Sequence, residues 1–390
     1  MSTTLRVIVD PIVAPVPGGI GRYTEELTRK LIETAPPGCD VTGIVSATVD
    51  DDHDRLETLL PGMTELIRMP LPRRELALAW RAGLTALPGR TADGTWRRAK
   101  AMVHSTTPLA PLGRHDRLNE IGNQTVVTVH DIAPWTHPGA LSPGRAALYK
   151  SMVKRAHRYA DAVVTPTHAV ANLLNEIMDF GDRIRVIGGA VSSKLKLPVD
   201  ADARAEKLGL PEQYILTTGT LEPRKRLDAL IASLSEADSV DLPLLITGPT
   251  AWGGRDAQAV AAEAGLPTGR VRTLGYLDDA DLAVILDRAT VFAYPSVAEG
   301  FGLSIVEAFS LGTPVVHADT ASLVEVAAGA GIAVPHENPD AYPRRLAQVI
   351  NSVVTEPGLA ERLRYQGLDR AKAFSWADSA QKVWQLHADL

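Results

Sequence analysis

Thr290-Val-Phe-Ala-Tyr-Pro-Ser296, Glu299-Gly-Phe-Gly-Leu-Ser-Ile-Val-Glu307 and Gly312-Thr-Pro-Val-Val-His317 read in succession as a strand, a glycine-rich turn opening an apolar helix, and a second strand. Pro295, Gly300 and Gly302 break regular structure. Leu303, Ile305, Val306, Ala308 and Phe309 supply a helix expected to begin near Ser304 and to end at Gly312. Such a strand, loop, helix and strand unit belongs to a parallel sheet, with its loop at the carboxyl end of the first strand, where open α/β sheets bind ligands. The turn also sets Glu299 and Glu307 on either side of the helix start. At about 1.5 Å of rise per residue they lie several ångströms apart, too far to share one proton or one metal. They suit different parts of one elongated ligand, with the free amides of the turn and helix N-terminus attracting an anion such as a diphosphate between them.

Outward from this unit the same alternation continues. In the amino-terminal half, strands are expected at 5–10, 41–46, 102–105, 125–130, 162–165 and 183–187, with helices near 21–34, 143–159 and 169–178. A second series begins with strands at 214–218, 244–247, 271–274, 291–294, 315–317 and 332–334. Between them Gly188 to Leu210, poor in large apolar residues, reads as a linker. The fold class is therefore α/β, with two doubly wound Rossmann-like domains in tandem over 1–190 and 191–373, followed by a helical segment over 374–390.

Composition narrows the function classes. A chain of 390 residues with 45% hydrophobic content is long enough for two cores. No run of about eighteen apolar residues occurs, and the amino terminus enters a strand without a signal-peptide pattern. A single cysteine, Cys39, excludes an intramolecular disulfide and fits a reducing, cytoplasmic setting. The net charge of -6 argues against general nucleic-acid binding. Residues 66–100 depart from this balance: Arg68, Arg73, Arg74, Arg81, Arg90, Arg97, Arg98 and Lys100 against Glu75 and Asp93 give a local +6. Leu76, Leu78, Ala79, Trp80 and Leu84 lie among them, so the stretch is either a solvated helix and loop or a surface for an anionic acceptor or the inner face of a membrane.

Two further loops follow strands in the manner of ligand loops. Pro17-Gly-Gly-Ile-Gly-Arg-Tyr23 opens a helix after the first strand, and Gly219-Thr-Leu-Glu-Pro-Arg-Lys-Arg226 opens one at Leu227. The first is not a dinucleotide fingerprint, because Gly19-Ile-Gly21 is followed by Arg22, Tyr23 and Thr24. In the second, Arg224 offers a planar fork and Lys225 a compact charge, a pairing suited to a diphosphate. His130-Asp131 ends an apolar strand, so both side chains are expected in a crevice; Asp131 either orients the imidazole or caps the next turn. No metal is called for. Asp279-Ala-Asp281 reads as a helix cap, Asp200-Ala-Asp202 and the acidic run 50–54 as solvated loops.

The glycine loop, His130, Arg224-Lys225, Leu274-Gly-Tyr-Leu277 and the paired glutamates together resemble family 4 glycosyltransferases over nearly the whole chain. The resemblance implies a GT-B fold with a cleft between the domains and the last helix crossing back to the first. It implies retaining transfer from a nucleotide sugar to a saccharide or glycolipid acceptor, without a cofactor. Gly19, Ile20 and Gly21 would line the donor side, with Arg22 and Asp131 on the acceptor side. His130 would orient the donor sugar, Arg224 and Lys225 hold the donor phosphates, and Tyr276 and Leu277 present backbone to the base. Glu299, Gly300, Phe301, Gly302 and Leu303 would meet the sugar and phosphates, and Glu307 the ribose. The motifs look most like bacterial mannosyltransferases using GDP-mannose; UDP-glucose, UDP-N-acetylglucosamine and dTDP-rhamnose remain alternatives. A nucleotide-sugar epimerase and a non-enzymatic sensor are the readings from other classes.

Overall fold

Two parallel sheets organise the protein in the computed structural model, which describes residues 3–15, 18–91, 93–98, 101–116, 120, 122–249, 251–252 and 255–390. Pro17 of the glycine loop and Lys100 of the basic segment lie outside the described residues. The chain divides into two compact units: Met1–Pro134, Leu141–Gly189 and Ser375–Leu390 form one, Trp135–Ala140 and Ala190–Phe374 the other.

The first unit carries β1 (Thr3–Ile8), β2 (Cys39–Val45), β3 (Glu65–Arg68), β4 (Pro88–Arg90), β5 (Trp96–Arg98), β6 (Met102–Ser105), β7 (Thr125–Thr128), β8 (Ala162–Thr165) and β9 (Ile184–Val186), in the order β5-β4-β3-β2-β1-β6-β7-β8-β9. Pairing is parallel from β3 through β9, while β4 runs antiparallel to β3 and β5. The second unit carries β10 (Ile215–Thr218), β11 (Leu244–Thr247), a separate antiparallel pair β12 (Ala251–Trp252) and β13 (Arg255–Asp256), then β14 (Val271–Gly275), β15 (Val291–Tyr294), β16 (Val315–Ala318) and β17 (Ile332–Val334). Its main sheet, ordered β14-β11-β10-β15-β16-β17, is parallel throughout. Strands β6, β7, β8, β11, β15 and β16 are buried at every residue, as expected of parallel strands covered on both faces. Strand order reverses between β1 and β6 and between β10 and β15, and the carboxyl ends of those strands are the switch points at which such sheets bind ligands.

The expected alternation is present, with corrections of physical origin. The first strand ends at Ile8 rather than Asp10, because Pro11 cannot continue the ladder and Asp10 turns to accept from the Ser46 amide at 2.8 Å and to pair with Arg73 at 3.2 Å. Residues 50–54 are not a loop but the start of a helix, Asp50–Leu59, whose acidic end complements the helix dipole and whose Leu56 is buried. Asp200-Ala-Asp202 likewise starts the helix Ala201–Lys207, inside the stretch read as a linker. Asp278, not Asp279, caps the helix Asp279–Asp287 by accepting from the Asp281 amide at 2.7 Å. In the basic segment, the helix Arg73–Ala82 buries Leu76 and Trp80 in the core and leaves Leu78 exposed; beyond it Leu84 and, on β5, Trp96 are exposed as well. The short strands β3, β4 and β5 at one end of the first sheet were not legible. Among the described residues no helix is long and apolar enough to cross a membrane.

The helix Trp376–Asp389 packs in the first unit against the helix Gly18–Glu33. Trp384 Nε1 donates to the Leu31 carbonyl at 3.1 Å, and Gln124 Nε2 to that of His387 at 2.9 Å. Beneath it His104 Nδ1 and His387 Nε2 meet at 3.3 Å, and the two outer ring nitrogens, His104 Nε2 and His387 Nδ1, have no hydrogen-bond partner among the described residues. Burial pushes His104 down to about 4, and burial with the neighbouring imidazole pushes His387 well below its ordinary value. Both are therefore neutral in the fold. Below the ordinary histidine value of 6.5 the unfolded chain binds the extra protons, so this stability is present at neutral pH and lost on acidification. The double variant His104→Leu/His387→Leu should lose less stability than the parent between pH 7 and pH 4.5, by about 2 kcal/mol from His104 alone and more from the pair. Urea melts at the two pH values measure this, and equal acid losses would rule the pair out.

Candidate functional site

In the second unit the loops after β10 and β15, the two strands at the switch point, are joined to each other. After β10, Gly219 lies so close to Gly248 that a Cβ on Gly248 would come within 2.7 Å of the Gly219 carbonyl oxygen. A short 3-10 turn, Pro223–Lys225, follows, and Arg226 takes a left-handed φ of 49° before the helix Leu227–Ser233. From the β15 side, the Val297 amide donates to the Arg224 carbonyl at 2.8 Å, and Ser296 Oγ lies 3.1 Å from the same oxygen. Thr320 Oγ1 ties down the Ser296 carbonyl, Ser322 Oγ that of Glu299, and the Tyr342 hydroxyl that of Pro295, at 2.9, 2.7 and 3.0 Å.

This scaffold brings Arg224, Lys225 and Glu299 into direct contact. Lys225 Nζ lies 2.5 Å and Arg224 Nη1 3.3 Å from Glu299 Oε1. The Tyr294 hydroxyl and Ser296 Oγ donate to that same oxygen at 3.0 and 2.7 Å, and Lys225 also donates to Tyr294 at 2.9 Å. Arg224 Nη2 pairs with Glu222 at 3.0 Å and Nη1 donates to the Ala298 carbonyl at 3.0 Å. The side chains of Arg224, Lys225 and Glu299 are only 18, 15 and 11% exposed. Burial alone would raise the Glu299 carboxyl, yet the charges of Lys225 and Arg224 outweigh it and hold the group below the usual carboxylate range. Burial likewise opposes the charge on Lys225, and Glu299 overcomes it and raises the ammonium. Tyr294, buried beside Glu299, is pushed up to about 12. Arg226 stands apart, paired with Asp228 at 3.4 Å and stacked over Tyr342, so the cluster holds two cations.

Glu307 lies buried in the helix Leu303–Ser310, which begins one residue before the expected Ser304. Gly300 and Gly302 are buried in the turn, while Phe301 packs edge-on against Phe374 at 5.5 Å between centroids. After β14 the Gly275 carbonyl accepts from the Gly248 amide and Thr247 Oγ1, leaving Tyr276 71% exposed and Leu277 partly buried. Sequence reasoning missed Glu222, Tyr294, Ser296, Thr320 and Ser322. Tyr294 had a signal, a hydroxyl at the end of an otherwise apolar strand, and Ser296 another, its spacing of three from Glu299.

In the first unit, Gly19 and Ile20 are exposed in the first turn of the helix Gly18–Glu33, Gly21 is buried and Arg22 partly so. His130 Nε2 lies 2.8 Å from the Thr106 carbonyl. A carbonyl only accepts, so Nε2 carries the proton and Nδ1 is the acceptor. Burial lowers the imidazole pKa against the opposing pull of that bond and of Asp131, which favours the neutral ring. Tyr23 stands edge-on to it at 4.8 Å. Of the two roles open to Asp131, the hydrogen bond is the cap, accepted from the Ala133 amide at 3.0 Å. The remaining acidic pairs are engaged elsewhere: Arg204 lies 3.0 Å from Asp200 and 2.7 Å from Asp281. Among the described residues His53, Asp54 and Glu57 lie close enough to share a cation, and none belongs to the cluster around Glu299.

Gly302 sets the turn that carries Glu299. Its φ is +80°, and a Cβ there would lie 2.4 Å from Leu323 Cδ2. Gly302→Ala should therefore destabilise the protein by about 2 kcal/mol or more in denaturant melts. A loss below about 0.5 kcal/mol would show that the turn tolerates a side chain.

Two family descriptions match the chain in succession: glycosyltransferase family 4 over residues 17–194 and glycosyl transferases group 1 over residues 199–370. The O-antigen chain mannosyltransferase B of Escherichia coli is 31% identical over 260 residues, 65% of this chain and 67% of that protein. A serotype-specific mannosyltransferase WbdA of Escherichia coli is 27% identical over 271 residues, 66% of this chain; the match spans only 32% of WbdA's own length. Among solved structures, sucrose-phosphate synthase from Thermosynechococcus elongatus superposes with a TM-score of 0.72 at 20% identity, covering 100% of this chain and 99% of that one, a likeness of fold. Matched in both halves, and similar to a mannosyltransferase along two thirds of that relative, the chain belongs to the family 4 glycosyltransferases, with the two Rossmann-like sheets of the GT-B fold.

Proposed function

We propose that the protein transfers mannose from GDP-mannose to a hydroxyl of a saccharide or glycolipid acceptor with retention of configuration. The observation that carries this reading is the convergence of Arg224, Lys225 and Glu299 at the carboxyl ends of β10 and β15. The mannosyltransferase relatives favour mannose as the sugar. Arg224 and Lys225 would stabilise the departing diphosphate as the bond from the anomeric carbon to the phosphate oxygen breaks and its electron pair leaves with the phosphate. The acceptor oxygen bonds to the anomeric carbon on the same face and passes its proton to a phosphate oxygen. Glu299 would hold sugar hydroxyls, Glu307 the ribose, and Nδ1 of His130 would accept from a sugar hydroxyl. Retention is supported by the assignment of both Glu299 and His130 to the donor sugar, which leaves neither free to take the acceptor proton in an inverting displacement. Two cations in place of a divalent ion favour a reaction that needs no metal.

Incubation with GDP-mannose and a mannose-terminated glycolipid analogue should yield an α-mannoside by NMR, at a rate unchanged by chelator. A β anomer would overturn retention, and loss of turnover in chelator restored by magnesium or manganese would overturn the metal-free reaction. Arg224→Ala and Lys225→Ala should each lower kcat by about tenfold or more with smaller changes in KM, since charge on the leaving group develops in the transition state. Wild-type turnover in both variants would remove these residues from the reaction.

A further inference from the structure

Resting on the donor reading above, we infer that Glu299 is an internal stand-in for the donor diphosphate. It holds Arg224 and Lys225 until a diphosphate takes them, and the exchange releases its carboxylate to the donor sugar. The cluster has no net charge to offer an incoming anion: Arg224 and Lys225 are balanced by Glu222 and Glu299 at 3.0 Å or less, with Arg226 turned to Asp228. A diphosphate therefore binds well only if a carboxylate lets go. Glu299 is placed to do so. Its Oε1 receives four donors within 3.3 Å, more than the lone pairs of one oxygen accommodate, while Oε2 has no hydrogen-bond partner among the described residues. When the cations leave, Ser296 and Tyr294 still donate to Oε1 at 2.7 and 3.0 Å, and the rest of the carboxylate is left to sugar hydroxyls.

A donor supplies both halves of the exchange, phosphate oxygens for the cations and sugar hydroxyls for the carboxylate. The product diphosphate supplies only the first and leaves Glu299 short of partners. The exchange thus favours donor over product and helps expel the spent nucleotide.

Calorimetric titration of the parent, Glu299→Gln and Glu222→Gln with GDP, UDP, GDP-mannose and UDP-glucose tests this. In Glu299→Gln the free diphosphate should bind about threefold to fivefold tighter than to the parent, the scale of one ion pair, and the preference for donor over product should fall. Glu222→Gln removes the same charge and should tighten donor and product alike, keeping the preference. Unchanged or weaker diphosphate binding in Glu299→Gln overturns the exchange while leaving the nucleotide-sugar reading intact, and so does loss of the preference in both variants. Absence of binding by any of the four ligands to the parent overturns that reading and the exchange with it. Should melting show Glu299→Gln unfolded, Glu299→Asp replaces it, and that variant, its shorter carboxylate drawn back from the two cations, must also bind the diphosphate more tightly than the parent.

Discussion

The buried contact of Glu299 with Lys225 and Arg224 is the constraint around which the second unit's ligand end is arranged. Ionised groups this little exposed are tolerated only when each has a partner, because removing one leaves an uncompensated charge away from water. The two loops that carry them come from strands adjacent in the sheet but 75 residues apart in sequence. A backbone hydrogen bond from the Val297 amide to the Arg224 carbonyl keeps the loops in register, and hydroxyls from Thr320, Ser322 and Tyr342 hold the outer side. Charge and scaffold therefore depend on each other. The side chains meet because the loops are pinned, and pinned loops keep the charges from separating into water.

Backbone geometry supplies the second requirement. Gly302 takes a conformation and a closeness to Leu323 that make a side chain there strained, and the helix after it starts at once. Gly248 allows the ends of β10 and β11 to approach, and a left-handed Arg226 turns the chain into the next helix. Arg226 in that conformation is uncommon for a residue with a side chain, and it turns the third cation toward Asp228 and Tyr342. In the first unit a different device appears. His130 is fixed in one neutral tautomer by a backbone carbonyl, with Thr106 itself bonded to Thr24 of the glycine-loop helix at 2.7 Å. That leaves an acceptor nitrogen rather than a donor for whatever approaches the ring.

By itself the sequence determined the alternation of strands and helices, the three loops that follow strands, and the identities of Arg224, Lys225, Glu299 and Glu307. These are legible because they rest on local patterns: apolar runs of strand length, glycine and proline at breaks, and charged residues where apolar ones are expected. Strands β3, β4 and β5 were not legible, because short strands toward the edge of the sheet carry mixed residues and owe their pairing to neighbours rather than to their own pattern. Nor was the helical state of 50–59, where the acidic run hid a buried Leu56. Only the tertiary structure decided that the two cations and Glu299 touch, that Arg226 does not join them, and that Tyr294 and Ser296 complete the carboxylate's shell. Residues distant in sequence acquire a common position from strand order and loop packing, and neither is written in the spacing of the residues themselves.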